Sequence, residues 1–213
     1  MSMGSANFAI HLHSDSGGTH TDNTPFERNP ICFLGKLIGR VDAKQRELDE
    51  GLSHPLAGHE RIDLGIVQAG DLYNRTPARC TMVGTRRWAP GKTVADIRRE
   101  LAELVEPIAA AGNLKAEIVI EQEREPFETP AEHPAVMATR RAAECVMDCS
   151  PCVIGRRVVG DANIYVNGAG IPAYYFGPMN DSLHSDHEWV SIKQITECAK
   201  IYLGTALGFC GVA

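Results

Sequence analysis

Residues 93–121, TVADIRRELAELVEPIAAAGNLKAEIVIE, decide the fold. Thr93 with Asp96 three residues on has the form of a capping box, and Val94, Ile97, Leu101, Leu104 and Ile108 recur at helical spacing along one face. Gly112-Asn113 then supplies residues that end helices, because both tolerate a left-handed backbone. Immediately beyond, Ala116, Ile118 and Ile120 alternate with Glu117, Val119 and Glu121, the period of a strand. The stretch predicts a helix running straight into a strand.

The chain before it repeats this logic. Phe8, Ile10 and Leu12 alternate with Ala9, His11 and His13, which predicts a strand with one buried face. After a polar loop, Pro30 stands where a helix begins, and Ile31, Leu34, Ile38 and Val41 follow at helical spacing. Strand-like runs at 61–67 and 78–85, joined by Gly70-Asp71 and the turn-forming stretch 74–77, predict a hairpin. The order is β-α-β-β-α-β, a ferredoxin-like domain whose four-stranded sheet carries two helices on one face. Residues 121–134, rich in proline and acidic side chains, mark the boundary, giving expected domains of 1–124 and 125–213.

The second domain reads as a helix at 134–147, a strand at 152–159, a short helix at 162–166 and a strand at 173–176. A last helix opens with Ser191/Gln194 and carries Ile192, Ile195, Ala199, Tyr202 and Ala206 on its expected inner face. Alternating strands and helices indicate α/β layering, but so few strands leave an open edge that something must cover.

Composition narrows the function classes. The 213 residues include 21 Lys+Arg against 27 Asp+Glu, a net charge of −6, and 44% are hydrophobic. A disordered tail and a basic nucleic-acid-coating protein are excluded, and nothing points to nucleic acid or membrane as a partner. No apolar run is long enough to span a bilayer and the start lacks a signal-peptide pattern. An odd number of cysteines, 7, fits reduced thiols, so a cytoplasmic location is expected. Cys145, Cys149 and Cys152 read as thiols beside a turn rather than cluster ligands. His11 and His13 read as facing solvent or a partner.

One region has a specific order of motifs: Gly160-Asp161-Ala162, Gly170-Ile171-Pro172, Phe176-Gly177-Pro178, then His184 with Glu188 four residues on. Upstream stand His20 followed by Asn29-Pro30-Ile31, Gly70 to Pro77 with Asn74 inside it, and Arg87-Trp88-Ala89-Pro90-Gly91. Together these resemble the zinc-dependent aminoacylase, acetylornithine deacetylase, succinyl-diaminopimelate desuccinylase and carboxypeptidase G metallopeptidase family, over nearly the whole chain. The first domain resembles that family's lid, or dimerisation, domain, and the second the C-terminal segment of its α/β catalytic domain.

The resemblance implies a hydrolase of N-acyl amino acids or small peptides that uses zinc and forms a homodimer through the lid. It implies His184 as a zinc ligand and His20 as a donor reaching an oxyanion across the dimer. Asn74 and Arg87 would hold the substrate carboxylate, with the Gly177 loop lining the pocket. An Arg fork suits a carboxylate, and a preorganised donor suits a developing oxyanion. The sequence departs from the family pattern at several points. Its H-x-D occurrences, among them His13-Ser14-Asp15 and His184-Ser185-Asp186, stand in other contexts, and it contains no Glu-Glu pair. Met179 replaces the second glycine of the G-P-G loop. A catalytic zinc needs about three protein ligands. The expectation is therefore a lid plus partial catalytic segment whose missing ligands come from a separate N-terminal half. The alternative is a non-catalytic dimerisation or binding module derived from the same family.

Overall fold

A computed structural model describes residues 1–15, 17–155, 159–179, 182 and 185–211. They form two compact units, one of Met1–Phe127 with Gly155–Ala169, the other of Glu128–Ile154 with Gly170–Ala213.

In the first unit, strand β1 (Gly4–His13) buries alternate residues, with Ala6, Phe8, Ile10 and Leu12 turned into the core. Helix α1 (Pro30–Glu50) starts where Asn29 caps it, its Oδ1 accepting from the Ile31 N–H at 3.0 Å, with Pro30 in the first turn. Strands β2 (Arg61–Ala69) and β3 (Arg79–Trp88) make the hairpin. Helix α2 (Val94–Gly112) has the expected capping box: Thr93 Oγ1 accepts from the Asp96 N–H at 3.3 Å and Asp96 Oδ2 from the Thr93 N–H at 2.9 Å. Asn113, at φ 49°, ends it in the left-handed region, and β4 (Lys115–Arg124) follows. The strands lie in the order β2-β3-β1-β4, every neighbouring pair antiparallel. This is the ferredoxin-like arrangement the periodicity predicts.

Both helices cover one face of the sheet. Leu34, Leu37 and Val41 of α1 and Ile97, Leu101 and Val105 of α2 meet Phe8, Ile10, Leu12, Cys80 and Met82 in one core. Pro107 sits inside α2 and cannot donate to the Glu103 carbonyl one turn back; Arg40 of α1 donates to that carbonyl instead, at 3.1 Å. Gly84 in β3 is required by space. A Cβ there would lie 2.2 Å from the Asp63 carbonyl oxygen and 2.6 Å from the Phe8 ring. Gly84→Ala is expected to lower unit stability by about 1–3 kcal/mol through this overpacking, measured as a fall in the urea midpoint at unchanged slope.

Helix α4 (Ala162–Ala169) belongs to this unit because a buried asparagine holds it there. Asn163 donates to the carbonyls of Met3 at 3.1 Å and Glu125 at 2.8 Å, and its Oδ1 accepts from Ser2 Oγ at 3.1 Å.

The second unit is built on α3 (Pro134–Met147) and α5 (Ile192–Cys210). They approach closely where Gly204 faces Ala142: a Cβ on that glycine would stand 2.9 Å from the alanine's own. Thr205 Oγ1 donates to Thr139 Oγ1 at 3.1 Å, and Thr139 shares a 2.6 Å bond with Tyr174. The structure corrects two expectations here. Among the described residues, 152–155 and 173–176 are not strands. The Ala173 and Phe176 carbonyls accept from Thr129 Oγ1 and the Tyr202 hydroxyl, both at 2.6 Å, so side chains take the place of a ladder. On α5 the buried positions are Cys198 and Ile201, whereas the predicted inner stripe of Ile192, Ile195, Ala199, Tyr202 and Ala206 is exposed.

Candidate functional site

The loop after β1 and the turn between β2 and β3 come together by backbone pairing. His20 forms an isolated bridge with Arg75, the Thr21 N–H donates to the Asn74 carbonyl at 3.0 Å, and the Thr76 N–H donates to the Thr19 carbonyl at 2.9 Å. Gly70, at φ 77°, makes the turn that lets the 71–78 segment fold back. The result places His20 Nε2 3.3 Å from the amide nitrogen of Asn74, across 54 residues of sequence. At the other ring nitrogen, Nδ1 accepts from the Asp22 backbone N–H at 3.3 Å, with an Asp22 carboxylate oxygen 3.4 Å away. A neutral imidazole has one donor and one acceptor nitrogen, so it accepts either from the Asp22 N–H at Nδ1 or from the Asn74 amide at Nε2, and not from both. The imidazole and the carboxamide stand side by side on a half-exposed surface.

Arg87 is placed elsewhere. It lies near the far end of β3, opposite Ser5 of β1 and Arg61 of β2, on the sheet face away from the helices. At ~3.3 Å per residue, the strand carries it roughly 26 Å beyond Arg79, where the turn holding Asn74 ends. The structure therefore brings His20 to Asn74 but does not bring Arg87 to either within one chain. The sequence pairing of Asn74 with Arg87 on a single carboxylate is not what one copy presents.

Gly177 lies in the second unit, beside Tyr202, whose ring meets Phe176 edge-on at a centroid distance of 5.9 Å. A Cβ at Gly177 would sit 3.5 Å from the Tyr202 hydroxyl, an ordinary contact, so the chain's own packing does not demand glycine there. His184 lies outside the described residues. Among the described residues, no three His, Cys, Asp or Glu side chains stand together as a metal-binding group, so these residues alone do not fit a zinc centre.

His11 and His13 occupy the sheet face away from the helices, their ring centroids 6.4 Å apart. Burial, and the Arg79 guanidinium 2.8 Å from its Nδ1, hold the His11 imidazole below its ordinary pKa. Burial pushes the Cys80 thiol up to about 11, which leaves it an inert core group. Among the described residues no helix is long and apolar enough to cross a membrane.

Sequence reasoning missed the most highly charged feature of the first unit. Arg86, fully buried on the helix side of the sheet, grips Glu100 with two bonds of 2.7 and 3.1 Å and Glu60 with one of 2.6 Å. Its Nη1 also donates to the carbonyls of Arg61 and Arg87. Lys92 donates to Glu60 at 2.7 Å and the Ala89 N–H to Glu60 at 3.2 Å. Burial pushes the Glu60 carboxyl up, but the bonds from Lys92 and Arg86 outweigh it and hold the group below its ordinary range. Period-two alternation was the available signal, since Arg86 follows Cys80, Met82 and Gly84 on the buried face.

The sequence profile of peptidase family M20/M25/M40 matches residues 5–208. A Pyrobaculum aerophilum protein described as a LysW-lysine/LysW-ornithine hydrolase is 27% identical over 198 residues, covering 90% of this chain and 50% of that protein. Succinyl-diaminopimelate desuccinylase of Sulfurovum sp. is 22% identical over 203 residues, covering 95% of this chain and 52% of that protein. Among solved structures, a tripeptidase from Staphylococcus aureus superposes with a TM-score of 0.76 at 17% identity, covering 96% of this chain and 51% of that one. Aminopeptidase PepT from Bacillus cereus gives 0.75 at 15% identity, covering 98% and 52%. The chain spans about half the length of the curated relatives it matches. With the profile covering nearly all of the sequence and the fold shared, the chain belongs to peptidase family M20/M25/M40.

Proposed function

We propose that this chain supplies the substrate-clasping portion of a metal-dependent amidohydrolase that cleaves N-acyl amino acids or small peptides and works as a homodimer in the cytoplasm. The observation that carries the reading is the His20–Asn74 pair: an imidazole and a carboxamide 3.3 Å apart, positioned by the β2–β3 turn. Amide hydrolysis develops negative charge on the carbonyl oxygen, and donors fixed in advance at that point stabilise it without reorganisation. Asp22 lies beside Nδ1 and orients the imidazole, which donates to that oxygen when Nε2 carries a proton. Arg87 would bind the substrate carboxylate as a fork, and its separation from His20 along β3 supports a site to which two copies of the chain contribute.

Family members generally use metal ions, commonly zinc. The described residues do not form such a centre, so on this reading His184 joins ligands contributed from outside this sequence, and the Gly177 loop lines the pocket. The names of the relatives, a LysW-lysine hydrolase and a succinyl-diaminopimelate desuccinylase, support an acylated amino acid as substrate.

The test is an assay of the assembled protein, with zinc supplied, on acetylated and succinylated amino acids and on di- and tripeptides. Release of free amine is expected, with Asn74→Ala lowering kcat about 10- to 100-fold, as the loss of one of two oxyanion donors does at the weaker end of its range. A metal-loaded dimer that hydrolyses none of these amides would overturn the reading and leave the non-catalytic module in its place.

A further inference from the structure

On the sheet face away from the helices, one cross-strand row joins β2, β3, β1 and β4. Arg61 pairs with Arg87, Arg87 with Ser5, and Ser5 with Arg124. Residues directly opposite in an antiparallel sheet share a face, so three guanidinium side chains and a hydroxyl line up there. The row depends on a bulge. Asn7 is opposite Glu121, so unbroken pairing would put Glu123 opposite Ser5; the bulge spanning Gln122, whose φ is 51°, moves the register by one residue and puts Arg124 there instead. Gln122 Oε1 accepts from the Asn7 side-chain amide at 2.7 Å, which pins the irregularity. A cation thereby takes the place of a carboxylate.

From the opposite face, buried Arg86 donates through Nη1 to the carbonyls of both Arg61 and Arg87, tying the two strands together beneath the paired arginines. Like charges directly opposite destabilise a sheet, so a row of this kind calls for anions. Asp63 offsets Arg61 in part, accepting from its Nη2 at 3.0 Å, and the next row of the same face, Asp63, Thr85, Asn7 and Glu121, carries acids on its two outer strands. Arg124 turns Nη1 to the Glu123 carbonyl at 2.9 Å. A guanidinium has five N–H donors, so Arg61 and Arg124 keep most of theirs for a ligand.

We infer that Arg61 and Arg124 extend the Arg87 clamp into a strip for a second anionic group, so that the preferred substrate is an N-acyl amino acid or peptide whose clasped residue carries two carboxylates. One carboxylate fills one fork bidentately. With Arg87 holding it, the flanking cations stand ~5 Å away on β2 and roughly 10 Å away on β4, and a second carboxylate within reach of either neutralises the charge that remains. The inference rests on the reading of Arg87 as the substrate-carboxylate clamp.

The test is the binding of N-acetylglutamate and of its neutral isostere N-acetylglutamine to the full chain, followed by NMR at the arginine Nε–H signals, with turnover of both measured in the assembled, metal-supplied protein. N-acetylglutamate is expected to bind at least about 10-fold more tightly, and Arg61→Gln with Arg124→Gln to bring the two affinities within about 2-fold. Equal affinities in the wild type, or a preference that survives in the double variant, would overturn the inference. If the double variant folds poorly, Arg124→Gln alone decides: it should cut the preference at least about 3-fold, and an unchanged preference counts against the strip. Preferential binding without hydrolysis of either compound refutes the catalytic reading and leaves the strip standing as a dicarboxylate site. Hydrolysis of both, with no preference in binding or kcat/KM, refutes the strip and leaves the catalytic reading.

Discussion

In the assembled enzyme proposed here, His20→Ala slows turnover about 10²- to 10³-fold, the usual consequence of deleting one donor to an oxyanion. The fall lies in kcat rather than KM, because the donor acts on charge that exists only near the transition state. Arg87→Ala acts on KM and kcat together, since a carboxylate clamp both holds and aligns the substrate. The two variants are most informative mixed. If each site takes His20 and Asn74 from one copy and Arg87 from the other, a mixed dimer has one site lacking both residues and one site intact. Random re-pairing of equal amounts makes about half the dimers mixed, so activity should return to about a quarter of wild type from two nearly dead proteins. Activity that stays at the level of the separate variants would show that both residues serve a site within one copy, against the separation along β3.

Arg86→Leu costs the first unit about 3–5 kcal/mol, because it removes the fully buried cation that joins Glu60 and Glu100, leaving Glu60 to Lys92 and the Ala89 N–H. Glu60 and Glu100 are only 11% and 14% exposed, so water cannot replace the lost bonds. The pH dependence has a definite sign. In the wild type, Glu60 titrates below its unfolded value, so its stabilisation is present above that value and is lost as pH falls through the folded one. In the variant burial still pushes the Glu60 carboxyl up while the Arg86 bonds that opposed it are gone, so protonating that group relieves part of the penalty. The deficit should therefore be widest at neutral pH and narrow in acid, measured by urea unfolding from pH 7 to 4. Replacing Glu60 and Glu100 by leucine in the same chain should recover much of the loss, because an apolar set leaves no unpaired charge. A deficit of under about 1 kcal/mol at neutral pH would show that the network contributes little.

The order of elements, the capping of α1 and α2 and the buried face of β1 were legible in the sequence because each depends on neighbours a few residues away. Alternation at Phe8, Ile10 and Leu12 and the Thr93/Asp96 box are local statements, and the structure agrees with them. The α5 stripe shows the limit of such statements. Periodicity located the apolar residues, yet it could not say which of two apolar faces meets α3, since that depends on the small residues Gly204 and Ala142 allowing close approach.

The sequence by itself determined the fold of the first unit, the family motifs and the residue types from which a site could be built. Only the tertiary structure decided that His20 and Asn74 share one point, that Arg87 stands at the other end of the strand, and that Arg86 is buried among carboxylates. The physical reason is reach: hydrogen-bonding periodicity is written into consecutive residues, whereas the meeting of side chains 54 positions apart is set by sheet register and turn geometry.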